Sequence, residues 1–355
     1  MPRTPTAPPT ASEAARKADH LRIAAGLEVE HESGTGLDRV RLRHRALPER
    51  DLAAVSLATE LLGAGLAAPL VVSAMTGGTP ESAAINRRLA CAAAEHGIAL
   101  VLGSGRRLLD DPGLLMTYRP DEAERPPLLL ANLGAAQIRG ADGAVRAQRL
   151  VELLDADGLS IHLNPLQEAV QPEGEPDFTG VLEGIAASVG RLAPLPVVVK
   201  EVGFGLDGED VALLREAGVA AVDVAGAGGT NWALIEGRRD PRAGAVAGAF
   251  ADWGLPTADA LRLAVAAAPE LPVIASGGVR DGVEAAKCLA LGARAAGLAR
   301  PFLLAAQADR AADAVASVVE QLRIAVWATG AASAGELGPE HLRSPARPPR
   351  QEKVP

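Results

Sequence analysis

The feature that most constrains this chain is an order of segments. Eight short, predominantly apolar runs occur at 70–75, 98–102, 128–133, 159–163, 197–202, 220–225, 273–276 and 295–299. Each is followed by a stretch rich in Ala, Leu, Glu and Arg, with helices expected at 81–96, 112–119, 143–154, 179–192, 208–217, 257–268, 282–291 and 303–329. The runs are continuous rather than alternating, which fits strands buried on both faces of a parallel sheet. Eight strands in strict alternation with eight helices predict a (β/α)8 TIM barrel; a doubly wound open sheet is the alternative, with six strands the usual number. The barrel is expected over residues 69–330, preceded by an N-terminal extension at 14–68. Residues 1–13 are rich in Pro, Thr and Ala, and 331–355 end in a Pro/Arg-rich tail. The first stretch is expected to be disordered and the second largely so.

Active sites of such barrels lie at the C-terminal ends of the strands, and those ends are polar and glycine-rich here. Strand 1 ends Ala74-Met75-Thr76-Gly77-Gly78, strand 2 ends Gly103-Ser104-Gly105-Arg106, and strand 3 ends Ala131-Asn132-Leu133-Gly134. Strand 4 runs into His162-Leu163-Asn164-Pro165-Leu166-Gln167-Glu168, four polar side chains in seven residues, with His162 and Asn164 on one face. An N-capping cluster is the plainer explanation for that patch taken alone. After strand 7, Gly277-Gly278 lets the backbone approach an anion, and the helix opening at Asp281-Gly282 is expected to point its N–H groups there. Gly226–Thr230 opens a stretch reaching Gly254, expected to be a long loop acting as lid or interface. Lys200 follows Pro196-Val197-Val198-Val199, and a buried ammonium there needs a partner or a ligand. A bridge to Glu201 would satisfy it, but adjacent strand residues face opposite ways. Glu168 suits Mg2+ held by one carboxylate and ligand phosphates.

A net charge of −9 argues against nonspecific binding to nucleic acid or anionic membranes. The apolar runs are too short to span a bilayer, and the first residues lack the apolar core of a secretory signal. Cys91 and Cys288 lack metal-site spacing and read as core residues of a protein in a reducing, cytoplasmic compartment.

Taken together, the rims resemble those of the type 2 isopentenyl-diphosphate isomerases, a flavin-dependent barrel family. The matching stretches are Arg16-Lys17-Ala18-Asp19-His20, Ala74-Met75-Thr76-Gly77-Gly78, Asn132-Leu133-Gly134-Ala135, and Ile161-His162-Leu163-Asn164 with Gln167-Glu168. They continue with Gln171-Pro172-Glu173-Gly174, Val199-Lys200-Glu201-Val202-Gly203-Phe204-Gly205, Gly228-Gly229-Thr230-Asn231 and Ala275-Ser276-Gly277-Gly278, so the likeness runs from about residue 16 to 329. The resemblance implies interconversion of isopentenyl and dimethylallyl diphosphate with FMN, Mg2+ and a reductant such as NADPH, by a homotetramer or larger assembly. It implies FMN contacts at Ala74, Met75, Thr76, Ser104, Asn132, Lys200 and Thr230, with the FMN phosphate against Gly277, Gly278, Arg280, Ala299 and Arg300. It implies a substrate diphosphate held by Arg16, Lys17, Arg106, His162 and Asn164, with Gln167 near the reacting carbons and Glu168 on Mg2+. One departure is Gly105, where the family often has Gln. The competing functions are another FMN barrel, such as a 2-hydroxy-acid dehydrogenase, and a barrel that binds FMN or a prenyl diphosphate without turnover.

Overall fold

In the computed structural model, which describes residues 13–26 and 29–343, eight parallel strands close on themselves. They are β1 (Leu70–Val72), β2 (Ala99–Val101), β3 (Leu129–Gly134), β4 (Gly158–His162), β5 (Val197–Lys200), β6 (Ala221–Asp223), β7 (Val273–Ala275) and β8 (Ala295–Leu298). Each pairs with its successor, and β8 returns to β1 with Ala296 opposite Leu70. The architecture is the expected (β/α)8 barrel. Successive residues of a strand face opposite ways, so Val71, Val101, Leu130 and Val198 fill the barrel interior while Leu70, Val72, Leu100 and Val199 pack outward against helices.

The extension serves both ends of the barrel. Thr59–Leu61 and Ala64–Leu66 form an antiparallel ribbon whose Leu61 and Leu66 join the interior cluster beside residues at the strand beginnings, closing the bottom. Toward the other end, Val29 and His31 bond to the strand 6 loop: His31 N donates to Gly229 O (2.9 Å) and Asn231 N to Val29 O (2.7 Å). Helix α1 (Glu13–Gly26) packs Ile23 and Ala24 on Ile235 and so lies over the rim.

Several helices differ from the sequence expectation. Residues 112–119 hold a 3-10 segment, Pro112–Thr117, while the α-helical turn sits earlier, as α2 (Arg106–Asp110). The helix expected over 303–329 is two, α6 (Arg300–Gln307) and α7 (Ala311–Thr329), separated where Asp309 takes a positive φ of 58°. The 226–254 stretch is no long loop but carries α4 (Trp232–Arg239) and the helix Pro241–Gly248. Asn231 caps α4 by accepting from Leu234 N, and Asp240 with Pro241 starts the next. After strand 4, α3 (Pro165–Val170) is a short helix with Pro in its first turn; after strand 7 comes α5 (Gly282–Ala290).

Residues 331–343, assigned to the tail from sequence, are packed. Ser333 bridges Ser56, Leu342 bridges Leu42, and Ala331, Ala334 and Leu337 are buried. The disorder expected at 1–12 and 344–355 lies outside the described residues; residue 13 opens α1. Both cysteines are free thiols, and burial pushes Cys288 up to about 12. Among the described residues no helix is long and apolar enough to cross a membrane.

Candidate active site

The C-terminal mouth of the barrel opens into a cavity of about 510 Å³, and every site residue singled out from the sequence lines it. The strands supply Asn132, His162 and Lys200; the loops after β1, β2, β6, β7 and β8 supply Ala74 to Thr76, Ser104, Thr230, Gly277, Gly278, Arg280 and Ala299; α1 to α3 and α6 supply Arg16, Lys17, Arg106, Gln167, Glu168 and Arg300, with Asn164 just before α3.

At one end is a tight glycine turn. Gly277 and Gly278 adopt φ of 98° and 68°, a region side chains avoid. A Cβ on Gly277 would fall on the Gly226 carbonyl, and one on Gly278 would lie 2.5 Å from Gly228 O. The expected contribution of the following helix is corrected. The first N–H groups of α5 are taken, Gly282 N by Gln321 Oε1 (3.0 Å) and Glu284 N by Asp281 Oδ1 (2.8 Å). Of the two helix starts on this side, that of α6, at Ala299, has no side-chain cap, and Ala299, Arg300 and Pro301 bring its positive dipole end to the cavity.

Deeper in, Lys200 has a partner that its own strand does not provide. Its Nζ donates to the Glu201 carbonyl (2.8 Å) and lies 3.5 Å from Asp223 Oδ2, in register on β6. Asp223 Oδ1 in turn accepts from Ser276 Oγ (2.6 Å). The Glu201 carboxylate points elsewhere, accepting from the N–H groups of Gly203, Phe204 and Gly205 at 2.6, 2.5 and 3.1 Å. Burial pushes it up to about 7, against those bonds and the Lys200 charge. Ser73 Oγ is buried beside this charge pair's end of the cavity without a hydrogen-bond partner among the described residues.

The opposite side is cationic. Lys17 Nζ donates to Ser104 O (3.0 Å) and Tyr118 Oη (2.8 Å), tying α1 to the end of β2. His162 Nδ1 meets Asn132 Oδ1 at 2.6 Å, which assigns the ring proton to Nδ1 and leaves the Nε2 lone pair open. Burial, then the Lys200 and Lys17 charges, lowers His162 to about 4, so the ring is neutral at pH 7. Asn164 Nδ2 donates to Gln167 Oε1 (3.1 Å) and Glu168 Oε1 (2.9 Å), and Glu175 N donates to Glu168 Oε2 (2.8 Å). At Gly105 a Cβ would come too close to Leu150 Cδ1, so a side chain there needs that leucine to shift.

Sequence reasoning missed the residue that ties this side together. Glu236, on α4, is wholly buried, 2.9 Å from His20 Nε2, and accepts from Gln167 Nε2 at 2.8 Å. Arg239 pairs with it at 2.5 Å and with Glu173 at 2.7 Å. With the Gln171 amide assigned the orientation that satisfies both neighbours, its nitrogen donates to Glu236 Oε1 (3.2 Å) and its oxygen accepts from Arg16 Nη1 (2.8 Å). Burial pushes the Glu236 carboxyl up, but the hydrogen bond and charge of His20, the Gln167 amide and Arg239 outweigh it and bring it down to about 2. The signal was present: Asn231 and Asp240-Pro241 are helix-start residues, and they put Glu236 on a helix rather than in a lid.

A glycine turn after the seventh strand beside the start of the eighth helix is the usual build of a phosphate-binding barrel, and the sequence model of the FMN-dependent dehydrogenases matches residues 182–344. Solved structures of that architecture resemble this one. A flavocytochrome b2 mutant with benzoylformate has a TM-score of 0.65 at 20% identity, covering 87% of this chain and 77% of that one. A mandelate oxidase mutant with (S)-mandelic acid has 0.63 at 22%, covering 92% of each. At such identity they speak for the fold alone. Full-length relatives are more specific. Isopentenyl-diphosphate delta-isomerase of Xanthobacter autotrophicus is 51% identical over 91% of this chain and 95% of its own. Those of a Synechococcus strain and of Aeropyrum pernix are 46% and 45% identical, over 88% and 90% of this chain and 91% and 87% of theirs. The chain belongs to the isopentenyl-diphosphate delta-isomerase family and is an enzyme of its FMN-dependent type.

Proposed function

We propose that this enzyme interconverts isopentenyl and dimethylallyl diphosphate by a 1,3-allylic rearrangement, using FMN kept reduced by a donor such as NADPH, together with Mg2+. The observation that carries this reading is one chamber with two anion seats. One is the Gly277–Gly278 cradle with the uncapped α6; the other is the cationic side formed by Arg16, Lys17 and Arg106. A flavin phosphate and a substrate diphosphate need those two seats.

The residues present fit FMN. The glycine cradle admits a phosphate where a Cβ would not fit; Ser73 Oγ, without a partner among the described residues, and the Lys200 ammonium line the cavity, and Asn132, Thr76 and Thr230 add polar contacts. Bound and reduced, FMN would supply an electron-rich face and a proton-exchanging ring nitrogen. The chain's own residues do the rest. Arg16, Lys17, Arg106, His162 and Asn164 bind the diphosphate, cations and neutral donors around a polyanion. Glu168 is held open by Asn164 and the Glu175 N–H, and with the substrate's phosphate oxygens it makes a Mg2+ site of the one-carboxylate kind. Gln167, fixed between Asn164 and Glu236, faces the reacting carbons. His162 enters neutral; an arriving diphosphate favours a proton on Nε2, which turns the ring into a donor. Leu21, Met75 and Trp232 line the cavity and give the prenyl tail an apolar wall. The assembly is a homotetramer or larger, a reading that size-exclusion chromatography with light scattering tests.

The deciding experiment is anaerobic. The purified enzyme receives FMN, Mg2+, NADPH and isopentenyl diphosphate, and proton NMR follows dimethylallyl diphosphate. Product that depends on both FMN and reductant is expected. No product despite bound, reducible FMN would move the chain to another flavin-barrel chemistry.

A further inference from the structure

Two carboxylates line the cavity among the described residues, Glu168 and Glu30, and only Glu168 has been given a task. Glu30 sits at the phosphate end. Its Oε2 accepts from Arg280 Nη2 at 3.0 Å and its Oε1 from Arg300 Nη1 at 3.2 Å. Those arginines come from different elements, Arg280 from the loop after β7 and Arg300 from the first turn of α6, and both line the cavity with Gly277 and Gly278. Each is also fixed to backbone. Arg280 donates to Gly278 O and Gly228 O, both at 3.2 Å, and Arg300 Nε donates to Ala24 O at 2.9 Å. A guanidinium has five N–H donors, so each keeps free donors beside the cradle after these bonds are made. A carboxylate at an anion site is costly by charge alone. Its presence calls for an offsetting gain, and the geometry offers one: two like charges are held side by side in a fixed orientation.

We infer that Glu30 is the positioning residue of the cofactor-phosphate site, setting the Arg280 and Arg300 guanidiniums so that their remaining donors converge on the phosphate. This rests on the FMN assignment made above. It also joins the two anion seats. Glu30 forms a β-bridge with Thr230, and Arg300 grips the C-terminal turn of α1 at Ala24, the helix that carries Arg16, Lys17 and His20. Loading the phosphate therefore steadies the helix that meets the substrate.

Charge and geometry predict opposite signs, and this makes the inference testable. The full chain, stripped of flavin, is titrated with FMN and with riboflavin, which lacks the phosphate, and binding is read from flavin fluorescence. Glu30→Gln removes the negative charge and one arm of the bidentate hold. It is expected to weaken FMN about tenfold, the size of one charge-assisted hydrogen bond, and to leave riboflavin binding unchanged. Glu30→Asp keeps the charge but is a methylene too short to span both arginines, so it too should weaken FMN selectively. Tighter FMN binding by Glu30→Gln would mean that the carboxylate merely opposes the phosphate, and would overturn the inference. So would no change, or an equal loss for both flavins, which marks a general structural role. If the wild-type chain binds FMN and riboflavin alike, the phosphate site itself is wrongly assigned and the inference falls with it.

Discussion

Glu236→Gln is the most informative single substitution outside the cavity lining. It keeps the shape and removes the charge of a carboxylate that is wholly buried and meets His20, Gln167 and Arg239. Removing one member of a buried ion pair costs about 3–5 kcal/mol when the other is stranded. Arg239 is not fully stranded, because Glu173 remains at 2.7 Å, which points to the lower end. The carboxyl gives a second route to the magnitude. It is brought down to about 2 from an ordinary 4.5, and at about 1.36 kcal/mol per pH unit this is again about 3 kcal/mol. With roughly 330 ordered residues at ~2.1 cal/mol/K each, such a loss lowers the thermal midpoint by about 4 °C. The pH dependence has a fixed sign. A depressed carboxylate stabilises the fold above its unfolded value, so the gap between wild type and variant is full at pH 7. It shrinks as pH falls from 4.5 toward 2. Turnover should drop by about 10²-fold, because Gln167 and α1 lose their common anchor. The assays are thermal unfolding across pH and steady-state isomerisation. A midpoint within about 1 °C of wild type, with unchanged turnover, would refute the claim that Glu236 organises this side of the site.

Four further outcomes are expected. Lys200→Ala should weaken FMN retention and leave Asp223 buried without its cation; a variant as yellow as wild type after gel filtration would rule that out. Glu168→Gln should abolish the Mg2+ response of the isomerisation, and an unchanged Mg2+ titration would remove Glu168 from the metal. Gly277→Ala forces a Cβ onto the Gly226 carbonyl in a left-handed backbone; it should cost about 1–3 kcal/mol and most FMN affinity, and wild-type stability with full flavin loading would contradict the cradle. His162 is lowered to about 4, first by burial, so in the flavin-free, substrate-free protein its ring should titrate near 4 by NMR. The stability from burying it neutral is present above about 6.5 and lost as pH falls through 4. A midpoint near 6.5 would show that the ring is solvated.

The barrel and its polar rim were legible in the sequence because both rest on local patterns: continuous apolar runs for doubly buried strands, and glycine or polar punctuation where each run ends. What was not legible depended on partners distant in the chain. Lys200 was recognised as a buried cation, but the carboxylate that meets it, Asp223, is fixed by strand register across β5 and β6. Glu236 and Glu30 became visible only when the extension was seen lying on α4 and the strand 6 loop. The helix start after strand 7 looked available for a phosphate, yet Gln321 of α7 occupies it. Gly105 stood out against the family pattern, and only Leu150, packed against it, shows what a side chain there would meet.

The extension that closes the bottom with Leu61 and Leu66 and covers the top with α1 also imposes an order on biosynthesis. Its residues leave the ribosome before the barrel's, but the surfaces that receive them come late: Ile235 on α4, Arg300 beside Ala24, and Ser333 and Leu342 for the segment between. At about 5–20 residues per second, the apolar face of α1 waits roughly 15–60 s for its last partners. The part of the chain that finishes both ends of the barrel is therefore a part whose apolar faces wait long for cover during synthesis.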